Sequence, residues 1–117
     1  KIINIKGREF VIENFYDGIV KFNFAELCNR NLGSEDYLNI SQNSKFILIE
    51  NLPDFDENNS DQQQRFITLI DIIYEKKIPI LISSKNSLDK LNSAQSLSQI
   101  FKRTISRLYE LTSIKII

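Results

Sequence analysis

The sequence predicts an α/β fold: an N-terminal β-hairpin or meander, then a βαβ unit with short parallel strands, then a C-terminal helix. Three features predict it. The first quarter alternates apolar and polar residues around glycine turns, the pattern of strands with one wet face. Two short apolar runs, 45–50 (KFILIE) and 80–83 (ILIS), read as strands buried on both faces, as in parallel sheets. A long stretch with helical apolar spacing lies between them, and another closes the chain.

Taken in order, residues 2–6, 9–15 and 19–24 read as strands. They are separated by Gly7 and by Tyr16-Asp17-Gly18, and Asp-Gly between alternating runs is a hairpin signal. Val20, Phe22 and Phe24 share one face of the third run. Residues 25–28 read as a short helical turn, and Ser34 as the cap of a helix reaching about residue 43. After the first apolar run, Pro53 and the acidic block 54–61 (DFDENNSD) make a loop. Ser60 and Gln63 have capping-box spacing and open a helix over 61–77, with Phe66, Leu69, Ile70 and Ile73 on its apolar face. Pro79 ends that helix. Strand, helix and strand at this spacing make the βαβ unit. A polar linker follows, with a short helix near 87–91. The last helix covers 99–112, and 114–117 is a tail or final strand.

With 117 residues, positions 1–117 are expected to form a single domain. A chain of that size buries roughly two thirds of its unfolded surface, enough for a core without staples. Methionine is absent, and the chain opens inside an expected strand, so a piece of a longer protein is expected. Fifteen basic and fifteen acidic side chains cancel, which argues against nucleic acid as a partner. The lone Cys28 excludes an internal disulfide and fits a reducing compartment. No apolar run approaches the ~20 residues that span a bilayer, so membrane association is expected to be peripheral at most. Histidine is absent, which removes His-based triads and His metal sites.

Four side chains are candidates for chemistry. Arg103 and Arg107 stand one turn apart in the final helix, opposite Phe101, Ile105, Leu108 and Leu111. A guanidinium on a rigid element suits phosphate, and the competing reading is surface ion pairing, with Glu110 in reach of Arg107. Glu50 and Ser83 end the two apolar strands, where parallel sheets place their working groups. The competing reading is that they simply end in water. No GxxxxGK[ST] loop is present, so these residues alone are not expected to bind nucleotide. The loop 54–61 has a calcium-like spacing at Asp54, Asp56 and Asn58. Asn59 stands where glycine is required and Arg65 where a bidentate glutamate is required, so no metal is expected. Cys28 reads as a small buried hydrophobe rather than a nucleophile.

Five pieces occur in succession: Phe22-x-Phe24-x-x-Leu27-Cys28; Asp36-Tyr37; Arg65-Phe66-Ile67-x-Leu69-Ile70-Asp71-x-x-Tyr74-Glu75; Ile80-Leu81-Ile82-Ser83; and Phe101-x-Arg103-Thr104-x-Ser106-Arg107-Leu108-x-Glu110. The succession resembles the C-terminal portion of the ZapE-type P-loop ATPases, bacterial cell-division proteins with mitochondrial AFG-like relatives. The resemblance implies an AAA-related ATPase whose Walker A and B segments precede Lys1. It implies ATP and magnesium in the intact protein and none on this chain alone. Arg103 and Arg107 would be the arginine finger or sensor element of that site. Glu50 and Ser83 stay nucleotide-contact candidates on their strand-end positions alone. The implied partners are the N-terminal ATPase domain of the same protein and a protein client, with a homo-oligomer as a further expectation. The implied location is the bacterial cytoplasm at the inner face of the membrane, or the mitochondrion in a eukaryote. Asn51-Leu52-Pro53 departs from the family's Asp-Val-Pro, Leu111 replaces methionine, Ser84 replaces alanine, and the linker 85–100 lacks the usual aromatic and glycine pattern. The alternative function is a non-catalytic interaction or oligomerisation domain, docking the acidic block of one copy on the basic helix of the next.

Overall fold

The structure, a computed structural model, describes residues 1–112; the expected tail at 114–117 lies outside the described residues. Strands β1 (Ile2–Ile5) and β2 (Arg8–Val11) form an antiparallel hairpin. Strands β3 (Asn14–Tyr16) and β4 (Ile19–Asn23) form a second one, which belongs to the main sheet. That sheet continues with β5 (Phe46–Leu52) and β6 (Ile80–Ser84) in the order β3-β4-β5-β6, and β4, β5 and β6 run parallel. The helices are α1 (Phe24–Cys28), α2 (Ser34–Gln42), α3 (Ser60–Lys76) and α4 (Ser98–Thr112), with single 3₁₀ turns at Glu57–Asn59, Leu88–Lys90 and Gln95–Leu97. The α/β class and element order agree with the sequence reading.

Both hairpins turn on residues with positive φ: Lys6 and Gly7, then Asp17 and Gly18. Turns of that hand match the natural twist of paired strands. Gly18 also meets β5. Its carbonyl accepts from the amides of Lys45 (2.7 Å) and Phe46 (3.2 Å), and a Cβ there would stand 2.8 Å from Lys45 Cγ.

The single strand expected over 9–15 is two strands in two sheets. The chain leaves the first hairpin at Ile12, which is fully buried and exchanges backbone bonds with Lys1 in both directions. It then enters the main sheet at Asn14. Alternation alone cannot report that the partner strand changes.

Two helix starts also differ from expectation. Gly33, not Ser34, caps α2: the Asp36 carboxylate accepts from the Gly33 amide at 2.8 Å. The same carboxylate takes Arg8 Nη2 at 2.5 Å and so ties the first hairpin to α2. At α3 the Ser60–Gln63 box does not form. Asp56 and Asn59 cap the preceding 3₁₀ turn instead, and Gln63 points inward. Lys77 ends α3 in the left-handed conformation, and the Ile78 amide reaches back to the Ile73 carbonyl at 3.2 Å.

One face of the main sheet is buried under helices: Val20, Phe22, Ile47, Ile49 and Ile80 are each at most 1% exposed. The opposite face carries Ile19, Lys21, Leu48, Glu50 and Leu81 and is partly open. Phe24, Phe55, Phe66 and Phe101 form a ring cluster with centroids 5.6–5.9 Å apart, which joins α1, α3 and α4. Among the described residues, no buried side-chain nitrogen or oxygen lacks a hydrogen-bond partner, and no helix is long and apolar enough to cross a membrane.

Candidate functional site

Helix α4 is positioned before its arginines matter. Its core face, Phe101, Thr104 and Leu108, is buried, and its entry is stapled by a polar network. Fully buried Gln63 donates to Ser93 Oγ (2.7 Å) and accepts from the Ala94 amide (3.0 Å). Asp54 accepts from Asn86 Nδ2 (2.6 Å) and the Asn92 amide (3.1 Å), and Glu57 accepts from the Gln95 amide (2.8 Å). The acidic block therefore holds the 85–97 linker. These carboxylates satisfy backbone and side-chain amides of the next segment, which spacing within the block itself could not reveal.

Arg103 and Arg107 project from α4 across α3. Both guanidinium groups meet one carboxylate, that of Asp71. Arg107 Nη1 donates to Asp71 Oδ1, and its guanidinium carbon lies 4.6 Å from the centre of the Tyr74 ring. Arg103 Nη2 stands 3.7 Å from Asp71 Oδ2. The Arg103 side chain is 59% exposed and that of Arg107 only 21%. Glu110, expected beside Arg107, instead accepts the Tyr74 hydroxyl at 2.6 Å. That bond and the glutamate charge raise the Tyr74 pKa above its ordinary value. Asp71 and Tyr74 stand in the third of the five motif pieces, and spacing alone does not mark them as site residues. The available signal was an aspartate between Ile70 and Ile72 in a helix interior, where its propensity is poor.

Glu50 and Ser83 lie elsewhere, at the carboxyl edge of the sheet. Glu50 pairs with Lys21 at 3.0 Å, both half exposed. Ser83 Oγ accepts from the Asn51 amide at 3.1 Å. Asn51 has φ +62°, at the register shift between Ile49 and Leu52. Asparagine and aspartate both tolerate that backbone, so the departure from Asp at position 51 keeps the bulge. The structure thus groups the four candidates as two pairs. α3 leaves β5 at the carboxyl edge and returns to β6 at the amino edge, so Asp71 and Tyr74, in its second half, lie toward the amino edge.

Cys28 is fully buried, and burial pushes its thiol up to about 12. Tyr37 packs beside it and donates to the Leu27 carbonyl at 2.7 Å. The pair belongs to the core.

Residues 1–117 match the family described as AFG1-like ATPase. The chain belongs to the AFG1-like ATPase family. It is 34% identical over 91 residues to lactation elevated protein 1 homolog B of Danio rerio, a match covering 78% of this chain and 18% of that protein. It is 27% identical over 90 residues to cell division protein ZapE of Escherichia coli K12, covering 77% of this chain and 24% of that protein. An uncharacterised Schizosaccharomyces pombe protein is 24% identical over 83 residues, covering 71% of this chain and 18% of that protein. The chain therefore spans about a fifth to a quarter of the curated relatives it matches. No solved structure matches it. In this AFG1-like chain the three glycines stand at two hairpin turns and a helix cap, so none forms a phosphate cradle.

Proposed function

We propose that this chain contributes an arginine element to ATP hydrolysis by an AFG1-like protein, acting on a nucleotide held mainly by protein outside these residues. Family membership supports ATP and magnesium as the ligands. The observation that carries the arginine reading is the two-to-one arrangement on Asp71. One carboxylate balances one guanidinium, so an accessible positive charge remains on α4. Bound ATP with magnesium supplies the phosphoryl group for transfer to water. The residues of this chain supply fixed positive charge where negative charge builds, which stabilises the transition state more than the ground state. The N-terminal ATPase part of the same protein is the proposed partner, with copies of itself as a second. The bacterial cytoplasm, at the inner face of the membrane, or the mitochondrion of a eukaryote is the proposed setting.

The test is steady-state ATP hydrolysis by the complete gene product carrying Arg103→Ala or Arg107→Ala. At least one variant is expected to lose about 10³-fold in turnover, the scale of an arginine finger, while ATP affinity stays nearly constant. Unchanged hydrolysis in both would remove this reading.

A further inference from the structure

We infer that Asp71 is a positioning residue that divides the work between the two arginines: it fixes Arg107 as a strut and leaves Arg103 to meet phosphate. This deepens the function proposed above and rests on it.

Arg107 is restrained on two sides. Asp71 accepts its hydrogen bond, and the Tyr74 ring lies under its guanidinium at 4.6 Å. The ring is itself fixed, because the Tyr74 hydroxyl donates to Glu110 at 2.6 Å. An anion reaching Arg107 would have to displace a charge-assisted bond and break the stacking contact. Arg103 is held differently. Its contact to Asp71 is 3.7 Å long, beyond hydrogen-bond range, and its side chain is mostly in water. Such an exposed ion pair is worth only ~0–1 kcal/mol, so an arriving phosphate displaces little. Asp71 has already given its closer oxygen to Arg107, and the Arg103 charge is therefore only partly offset. The carboxylate still biases Arg103 toward the α3 side of α4. That restraint is steady because Asp71 rides on α3, whose Phe66, Ile67, Ile70 and Ile73 are at most 2% exposed.

A double-mutant cycle in the complete gene product tests this. The variants are Arg103→Ala, Arg107→Ala, Asp71→Asn, Asp71→Glu and the pair D71N/R103A. The readouts are kcat, KM for ATP, binding of a fluorescent ATP analogue, and thermal melting. R103A should lower kcat by about 10³-fold with analogue binding within about threefold of wild type. D71N should lower kcat about tenfold at unchanged KM, D71E should recover most of it, and D71N/R103A should be no slower than R103A alone. If D71N does not melt cooperatively, Asp71→Ser, which keeps an acceptor for Arg107, runs the same cycle. If D71N costs the same tenfold in the R103A background, Asp71 does not act through Arg103 and the inference is overturned. If R107A stops turnover and R103A does not, the division of work is wrong although the arginine element stands. If neither arginine variant changes turnover, both readings go.

Discussion

At the scale of single residues, backbone conformation and burial set what can change. Gly18 has φ +86° and bonds Lys45 and Phe46 through its carbonyl. Gly18→Ala should destabilise the chain by about 1–2 kcal/mol, the cost of a left-handed L-residue, as measured by urea denaturation. Lys77 makes the opposite case. It ends α3 at φ +55°, so Lys77→Gly should cost nothing or stabilise slightly, despite the entropy glycine adds to the unfolded chain. Cys28 illustrates burial. Its thiol is raised from 9.0 to about 12, so the folded state keeps a proton that the unfolded state loses first. The sign follows: this contribution to stability is complete below pH 9 and declines as pH rises toward about 12. Alkylation of Cys28 under native, mildly alkaline conditions should accordingly be no faster than unfolding, and rapid labelling of the folded chain would contradict the burial argument.

At the scale of elements, α4 is the one whose placement matters for the proposed chemistry, and two kinds of contact place it. Phe101 packs edge-on against Phe55 at 5.6 Å, and Gln63 fastens the linker that leads into the helix. Phe101→Ala should cost about 3–5 kcal/mol by thermal melting, because a buried ring leaves a cavity that a four-phenylalanine cluster cannot close. Gln63→Leu should cost less, about 1–3 kcal/mol, by leaving the Ala94 amide without its acceptor. Hydrogen exchange should then show the larger loss of protection in 93–98, where that amide lies, rather than in β5. The sequence located α3 and α4 correctly because apolar periodicity is strong over such lengths. It misplaced the starts of α2 and α3, since capping at Gly33 and around Asn59 is decided by which side chain reaches a free amide.

At the scale of the whole molecule, the main sheet is asymmetric. Its helix-covered face is sealed, while the other face leaves Leu81 54% exposed beside buried Ile80. Leu81→Thr should change stability by less than about 0.5 kcal/mol, and Ile80→Ala should cost about 2–5 kcal/mol. A pair of thermal melts checks both. Equal losses would mean that the two faces are not different in the way described.

The sequence by itself determined the α/β class, the order of strands and helices, the family, and the pair of arginines on one helix. Those properties follow from periodicity, turn chemistry and motif order, which are local along the chain. Tertiary structure alone decided that the strand region 9–15 serves two sheets, that the acidic block braces the 85–97 linker, and that Asp71 and Tyr74 receive Arg107 while Glu110 turns to Tyr74. It also decided that Glu50 and Ser83 stand apart from the arginines. The physical reason is that hydrogen bonds and ion pairs between side chains more than thirty residues apart depend on how helices pack on a sheet, and residue spacing carries no record of that distance.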